Sequence, residues 1–287
     1  MFRRLPGALA AALLATVATV SSVTPTAAAA ERTQLDFSGI VALSNCSGSI
    51  VATPGADSGD PALVLSNGHC LEDGFPAPGE VIVNQPSTRS FTVLSPDGES
   101  ELGTVSATKL VYATMTGTDV SLYQLDRSYA QVKEAYGVSA RTLADDRTSA
   151  GSEIDILSGY WKRSYSCSVD GFVHELREAD WVWRDSIRYT EDCKTIGGTS
   201  GSPIIDRATG EVVGVNNTGN TSGEECTMNN PCEVDENGEV TVRMGINYGQ
   251  QTHHIDECLV QGSELDLGLL DCELPKPAAA GALAGSA

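Results

Sequence analysis

Three short segments carry residue types that together could cleave an acyl bond. The first is Gly197-Gly198-Thr199-Ser200-Gly201-Ser202-Pro203, a serine set among glycines and followed by the apolar pair Ile204-Ile205. Small neighbours let a substrate backbone approach the hydroxyl, and glycine at 198 permits the tight conformation that aims backbone N–H groups at a developing oxyanion. The second is Val64-Leu65-Ser66-Asn67-Gly68-His69-Cys70, in which an apolar strand ends in a histidine beside a cysteine. A general base has to be held in place, and a disulfide through Cys70 would hold this one. The third, Thr118-Asp119-Val120-Ser121-Leu122, places a carboxylate at the entry to a strand. There it can accept a hydrogen bond from a histidine Nδ1–H and fix the tautomer. Each segment alone has an ordinary reading: a Gly/Ser turn, a structural histidine, an Asp at a turn. In the order His, Asp, Ser they read as a base, its orienter and a nucleophile.

The elements that position these residues are strands. Helical periodicity is almost absent, whereas short apolar or alternating runs bounded by turn residues recur over residues 39–43, 49–52, 81–83, 91–94, 109–112, 120–125, 181–189, 211–215 and 240–246. Pro96-Asp97-Gly98 and Glu236-Asn237-Gly238 sit between such runs as hairpin turns, the second in preference to a calcium loop whose remaining spacing is missing. One helix is expected over Ser128–Tyr136, shortly before a polar stretch, residues 144–152, that reads as the connection between two halves. An all-β chain with about ten or more short strands fits two packed six-stranded barrels or one large sandwich, and pattern alone does not choose between them.

Composition narrows the setting. With 41% hydrophobic and 20% charged residues in 287, the chain can bury a core. A formal net charge of −20 opposes binding to phosphate backbones or anionic lipid, so neither nucleic acid nor a membrane surface is an expected partner. Arg3 and Arg4, an apolar run over residues 8–20 and small residues through Ala30 read as a secretory signal peptide over 1–30, which makes the mature protein secreted and extracellular. The eight cysteines (Cys46, Cys70, Cys167, Cys193, Cys226, Cys232, Cys258 and Cys272) all follow it, and an even number in an exported chain reads as disulfides. Chain order suggests neighbouring pairs, though sequence does not fix the connectivity. No metal or other cofactor is called for: apart from His69 beside Cys70, whose cysteine is read as part of a disulfide, His253, His254 and Cys258 are the thiol and imidazole neighbours, and no Cys-x-x-Cys knuckle accompanies them. The last fifteen residues, 273–287, read as a disordered tail.

The segments Ser-Asn-Gly-His69-Cys, Thr-Asp119-Val-Ser-Leu and Gly-Gly-Thr-Ser200-Gly-Ser-Pro resemble the three catalytic segments of the trypsin/chymotrypsin-like serine proteases, in particular the bacterial secreted branch that includes glutamyl endopeptidases. The resemblance covers roughly residues 37–260. It implies a chymotrypsin-like pair of six-stranded antiparallel barrels, one over 31–145 and one over 146–272, with the site between them. It further implies His69 as base, Asp119 as orienter, Ser200 as nucleophile, the amides of Gly198 and Ser200 as oxyanion hole, and action on polypeptides; a monomer is expected. Thr199 stands where many animal members carry the aspartate that pairs with a new N-terminus, so that activation route is not expected. By position the substrate pocket is walled by Lys194, Thr195, Asn216 and Asn217, which favours a polar or acidic side chain before the scissile bond over a basic one. Two rivals stand beside this reading. One is a catalytically silent binding module on the same fold. The other is an α/β-hydrolase esterase with His253 or His254 as a late base, although Ser202 occupies the last glycine of its Gly-x-Ser-x-Gly elbow.

Overall fold

A computed structural model describes residues 1–2 and 35–278. The signal peptide expected over 1–30 lies, apart from its first two residues, outside the described residues. No helix among the described residues is long and apolar enough to cross a membrane.

Two closed rings of six strands account for most of the chain. The first contains β1 (Ile40–Ala42), β2 (Ser47–Ala52) and β3 (Pro61–Ser66), then, beyond the outlying β4 (Val81–Pro86), β5 (Ser90–Leu94), β6 (Glu101–Thr114) and β7 (Val120–Ser128). Its order β1-β5-β6-β7-β3-β2 returns to β1, every pairing in the ring being antiparallel. Helix α1 (Tyr129–Tyr136) follows, its first turn closed by a capping box between Ser128 and Gln131 and its end by Gly137 in the left-handed conformation. The short β8 (Arg141–Thr142) then adds parallel to β2.

The second ring comprises β9 (Glu153–Ser158), β10 (Arg163–Glu178), β11 (Trp181–Tyr189), β12 (Pro203–Asp206) and β13 (Val212–Gly219). After the hairpin β14 (Cys232–Val234) and β15 (Val240–Val242), it is completed by β16 (Asn247–Gln251). Its order β9-β10-β11-β16-β13-β12 likewise returns on itself. The two-barrel alternative is therefore the correct one, and the sandwich and the parallel-sheet hydrolase fall with it. A short helix α2 (His253–Asp256) and a small ribbon, β17 (Leu259–Val260) with β18 (Glu264–Leu265), end the fold.

The near-continuous apolar run Ala62-Leu63-Val64-Leu65 shows how the sequence builds this arrangement. Successive strand residues face opposite sides. Ala62 and Val64 join the cluster with Ile50, Phe91 and Tyr123 that fills the first ring. Leu63 and Leu65 join a second cluster in which Ile40, Val51 and Leu122 meet Leu157, Ile205, Val212 and Val215 of the other ring. A strand buried on both faces has no polar side to show, which is why β3 reads as a solid apolar block. Ile154, Ile156, Ile187, Tyr189 and Ile204 make the equivalent core of the second ring.

The start of the expected tail is part of the fold. Leu274 is buried in the cluster between the rings, and the Tyr112 hydroxyl donates to the Pro275 carbonyl at 2.9 Å. The boundary at residue 273 is thus too early, because an apolar residue two positions after Cys272 is anchored by the disulfide that precedes it. Residues 279–287 lie outside the described residues.

All eight cysteines are paired, as Cys46–Cys70, Cys167–Cys193, Cys226–Cys232 and Cys258–Cys272. Cys258 is thereby removed as a thiolate ligand for any metal beside His253 and His254.

Candidate active site

His69 lies on a short 3-10 turn, Gly68–Cys70, at the end of β3. The turn is pressed against the end of β6: a Cβ built on Gly68 would stand 2.1 Å from the Thr114 carbonyl oxygen, so only glycine fits. From behind, Cys70 is bonded to Cys46 just ahead of β2, with the two Cα atoms 6.0 Å apart. The buried Arg89 guanidinium donates to the Cys70 carbonyl at 2.6 Å, to Tyr123 Oη at 2.9 Å and to Asn45 Oδ1 at 2.6 Å. Replacing Cys46 and Cys70 together by serine should cost about 2–4 kcal/mol of stability, because a long loop of the unfolded chain is released. An unchanged denaturation midpoint for the double variant would refute this.

Asp119 stands at the entry to β7 and is fully buried. Its Oδ2 lies 2.7 Å from His69 Nδ1, and its Oδ1 accepts the His69 backbone N–H at 3.1 Å. One carboxylate thus fixes both the ring and the backbone of the same histidine. Burial by itself would lower the His69 pKa; the negative charge of Asp119, its hydrogen bond and the more distant charge of Glu178 outweigh that and hold it above the ordinary histidine value.

Ser200 lies on the loop between β11 and β12, where the Ser47 N–H of the first ring donates to its carbonyl at 2.8 Å. Asn67 joins the three segments: its Nδ2 donates to the Asp119 carbonyl at 2.7 Å, and its Oδ1 accepts the Gly201 N–H at 2.5 Å. His69 and Ser200 line one cavity. The Ser200 hydroxyl itself donates to the Asn217 carbonyl at 3.3 Å and makes no hydrogen bond to His69 in this structure. Contacts between a nucleophile and its base commonly tighten only when substrate is bound.

The loop before Ser200 has its peptide groups fixed from outside. Trp161 Nε1 donates to the Gly197 carbonyl at 2.7 Å, and the Ser202 N–H donates to the Thr199 carbonyl at 3.1 Å. In a trans peptide the N–H points opposite to the C=O, so these anchors set the directions of the Gly198 and Ser200 N–H groups. Neither amide donates to a protein acceptor among the described residues. Gly198 has φ +88°, a left-handed conformation that a side chain would disfavour, and a Cβ there would meet Trp161 and Tyr160 at 2.9 and 3.0 Å. Trp161 and Asn67 have no sequence signal as site residues; only the fold brings them to the loop.

Three of the four residues expected to wall the substrate pocket stand on this cavity. Thr195, Asn216 and Asn217 line the cavity, whereas Lys194 does not and is exposed. The position of Lys194 has a local cause: the buried neighbour Cys193 is tied to β10 by its disulfide, and Lys194 next to it is left facing solvent. Met115, Glu178, Trp181 and Trp183 line the cavity instead, and none of them was expected there. Glu178, at the end of β10, is buried; Thr218 Oγ1 donates to its Oε2 at 2.5 Å and the Asn229 N–H to its Oε1 at 2.7 Å. Burial raises its pKa above the usual carboxylate value, against the opposing effect of those hydrogen bonds and of His69.

His253 and His254 sit on α2, away from this cavity. Burial, with a smaller effect from His254, pushes the His253 pKa down to about 4. Neither can serve Ser200 as a late base.

Among curated proteins no sequence matches this chain. Several solved structures are similar to it. The MamO protease domain from Magnetospirillum magneticum is 14% identical, with a TM-score of 0.49 over 79% of this chain and 98% of that one. A Glu endopeptidase in complex with MPD is 18% identical, with a TM-score of 0.43 over 75% and 85%. Nocardiopsis protease is 15% identical, with a TM-score of 0.42 over 76% and 92%. The family model for the trypsin-like peptidase domain matches residues 46–215, a span that carries His69, Asp119 and Ser200, and the chain belongs to that family.

Proposed function

We propose that the protein is a secreted serine endopeptidase in which His69, Asp119 and Ser200 hydrolyse peptide bonds through an acyl-enzyme. Ser200 Oγ attacks the scissile carbonyl while His69 takes its proton, and the amides of Gly198 and Ser200 receive the oxyanion. His69 then returns the proton to the leaving amine, and water repeats the sequence on the ester. The observation that carries this reading is the 2.7 Å contact of buried Asp119 with His69 Nδ1 on the cavity that Ser200 shares. It leaves Nε2 as the free ring nitrogen. The four disulfides support export of the chain.

The silent-module reading draws on one observation, the Ser200 hydroxyl turned to Asn217. A fluorophosphonate probe separates the two. An active nucleophile labels at Ser200 and Ser200→Ala abolishes labelling, whereas a silent module is not labelled.

The pH dependence follows from His69. It has to be neutral to accept the serine proton, and its pKa is raised. Activity is therefore expected to appear as pH rises through a value above the ordinary histidine pKa of about 6.5. Full kcat/KM retained at mildly acidic pH would contradict the assignment of the base.

A further inference from the structure

We infer that Glu178 is the specificity-determining residue of this cleft and receives a cationic side chain, lysine or arginine, of a polypeptide substrate. The inference rests on the peptidase reading and names the substrate class of the same site. It reverses the polar or acidic preference expected from the segments around Ser200, because Glu178 comes from β10, outside those segments.

The first argument is an incomplete charge. A buried carboxylate normally has a cation against it, since removing an ion from water carries a penalty that a partner has to offset. Among the described residues Glu178 has neither a lysine nor an arginine paired with it; its hydrogen-bond partners are Thr218 and Asn229, and His69, the histidine whose charge reaches it, is neutral in the working state of the proposed mechanism. Its two hydrogen bonds, from Thr218 Oγ1 and the Asn229 N–H, both favour the ionised form, yet neither brings a charge. An ammonium or guanidinium group entering from the cavity would supply it.

The second argument is the wall around the carboxylate. Met115, Trp181 and Trp183 line the same cavity. Lysine and arginine carry an apolar stem behind the charge, which fits a wall of this kind, and indole faces attract cations. Trp181 is held in position by its Nε1 donating to the Pro76 carbonyl at 2.9 Å. Asn216 also lines the cavity; its Nδ2 donates to Thr199 Oγ1 at 3.2 Å, and its buried Oδ1 has no partner among the described residues. An unused acceptor is suited to a donor-rich side chain. The acidic surface acts in the same direction at long range by concentrating cationic peptides.

The test compares peptides that differ only in lysine against norleucine, scanned through the four positions before the scissile bond. Wild-type protein should prefer lysine at one of them by about 10-fold or more in kcat/KM. Glu178→Gln keeps the shape and can still accept from Asn229, and it should erase that preference, with the lysine peptide losing about 10-fold more than the norleucine peptide. A merely structural Glu178 would reduce both peptides alike, and that result, or a wild type with no cationic preference at any position, overturns the inference. The same peptide pair is also measured for binding to Ser200→Ala, with and without Glu178→Gln. A preference for lysine there, lost with Glu178→Gln, sustains the cation site even if turnover is absent, in which case it is the peptidase reading that fails.

Discussion

Ser200→Ala and His69→Ala are each expected to lower kcat/KM toward a peptide substrate by about 10⁴-fold or more. In the proposed mechanism Ser200→Ala removes the atom that forms the acyl bond. His69→Ala leaves a hydroxyl with no base to take its proton, and an alcohol is a poor nucleophile near neutral pH. The two losses should not add: once either partner is gone the other has nothing to act on, so the double variant should resemble each single one. Neither side chain belongs to a core cluster, and both are only partly buried, so circular dichroism and the denaturation midpoint should change little. The residual rate would come from the amides of Gly198 and Ser200 and from substrate binding. Retention of more than about a tenth of the activity in His69→Ala would remove histidine from the mechanism, and multiplicative losses in the double variant would mean that the two residues do not act as a unit.

The parts of the fold legible in the sequence are those where one residue type has one structural use. The apolar strand expected to end at the histidine segment is β3, and Pro96-Asp97-Gly98 and Glu236-Asn237-Gly238 do turn hairpins, between β5 and β6 and between β14 and β15. The helix expected over Ser128–Tyr136 is α1, with Ser128 as its capping residue rather than its first helical one. The 16-residue β10 was missed. Its sequence, Arg163 to Glu178, is dominated by polar residues, and its order comes from pairing with β9, β11 and β14 rather than from its own propensity.

That omission concealed Glu178. In Glu175-Leu176-Arg177-Glu178 both glutamates look like surface charge. Once the strand is known, its two-residue period puts Glu178 on the face of fully buried Leu176, with Arg177 on the exposed face between them. Lys194 stands outside the cavity for the opposite reason, since likeness to a family pattern gives a position along the chain and not the direction in which a side chain leaves it. Asn67 was quoted within the histidine segment without a function of its own. Its two amide ends reach Asp119 and Gly201, contacts spanning 52 and 134 residues of sequence, which no local pattern encodes.

Asp119→Asn should be nearly as damaging as loss of the base, with a fall in kcat/KM of about 10⁴-fold. The amide preserves the size of the side chain but can present an N–H where the carboxylate oxygen now accepts from His69 Nδ1. The ring is then pushed toward the tautomer protonated on Nε2, the atom that has to receive the Ser200 proton. A second consequence concerns pH. Burial pulls the His69 pKa down, and the charge and hydrogen bond of Asp119 are the main influences opposing it. In Asp119→Asn the desolvation remains while those two are lost, leaving only the weaker effect of Glu178, so the acid limb of the residual activity should move to lower pH than in the wild type. Stability has the reverse sign. A histidine whose pKa is raised in the folded state contributes stability that is full below the unfolded value of about 6.5 and disappears as pH rises through the folded value. The difference in Tm between wild type and Asp119→Asn should therefore be larger at mildly acidic pH, where the wild type is least active, than at alkaline pH. Paired pH profiles of kcat/KM and Tm check both halves; an acid limb that stays in place in Asp119→Asn would show that something other than Asp119 sets the ionisation of His69.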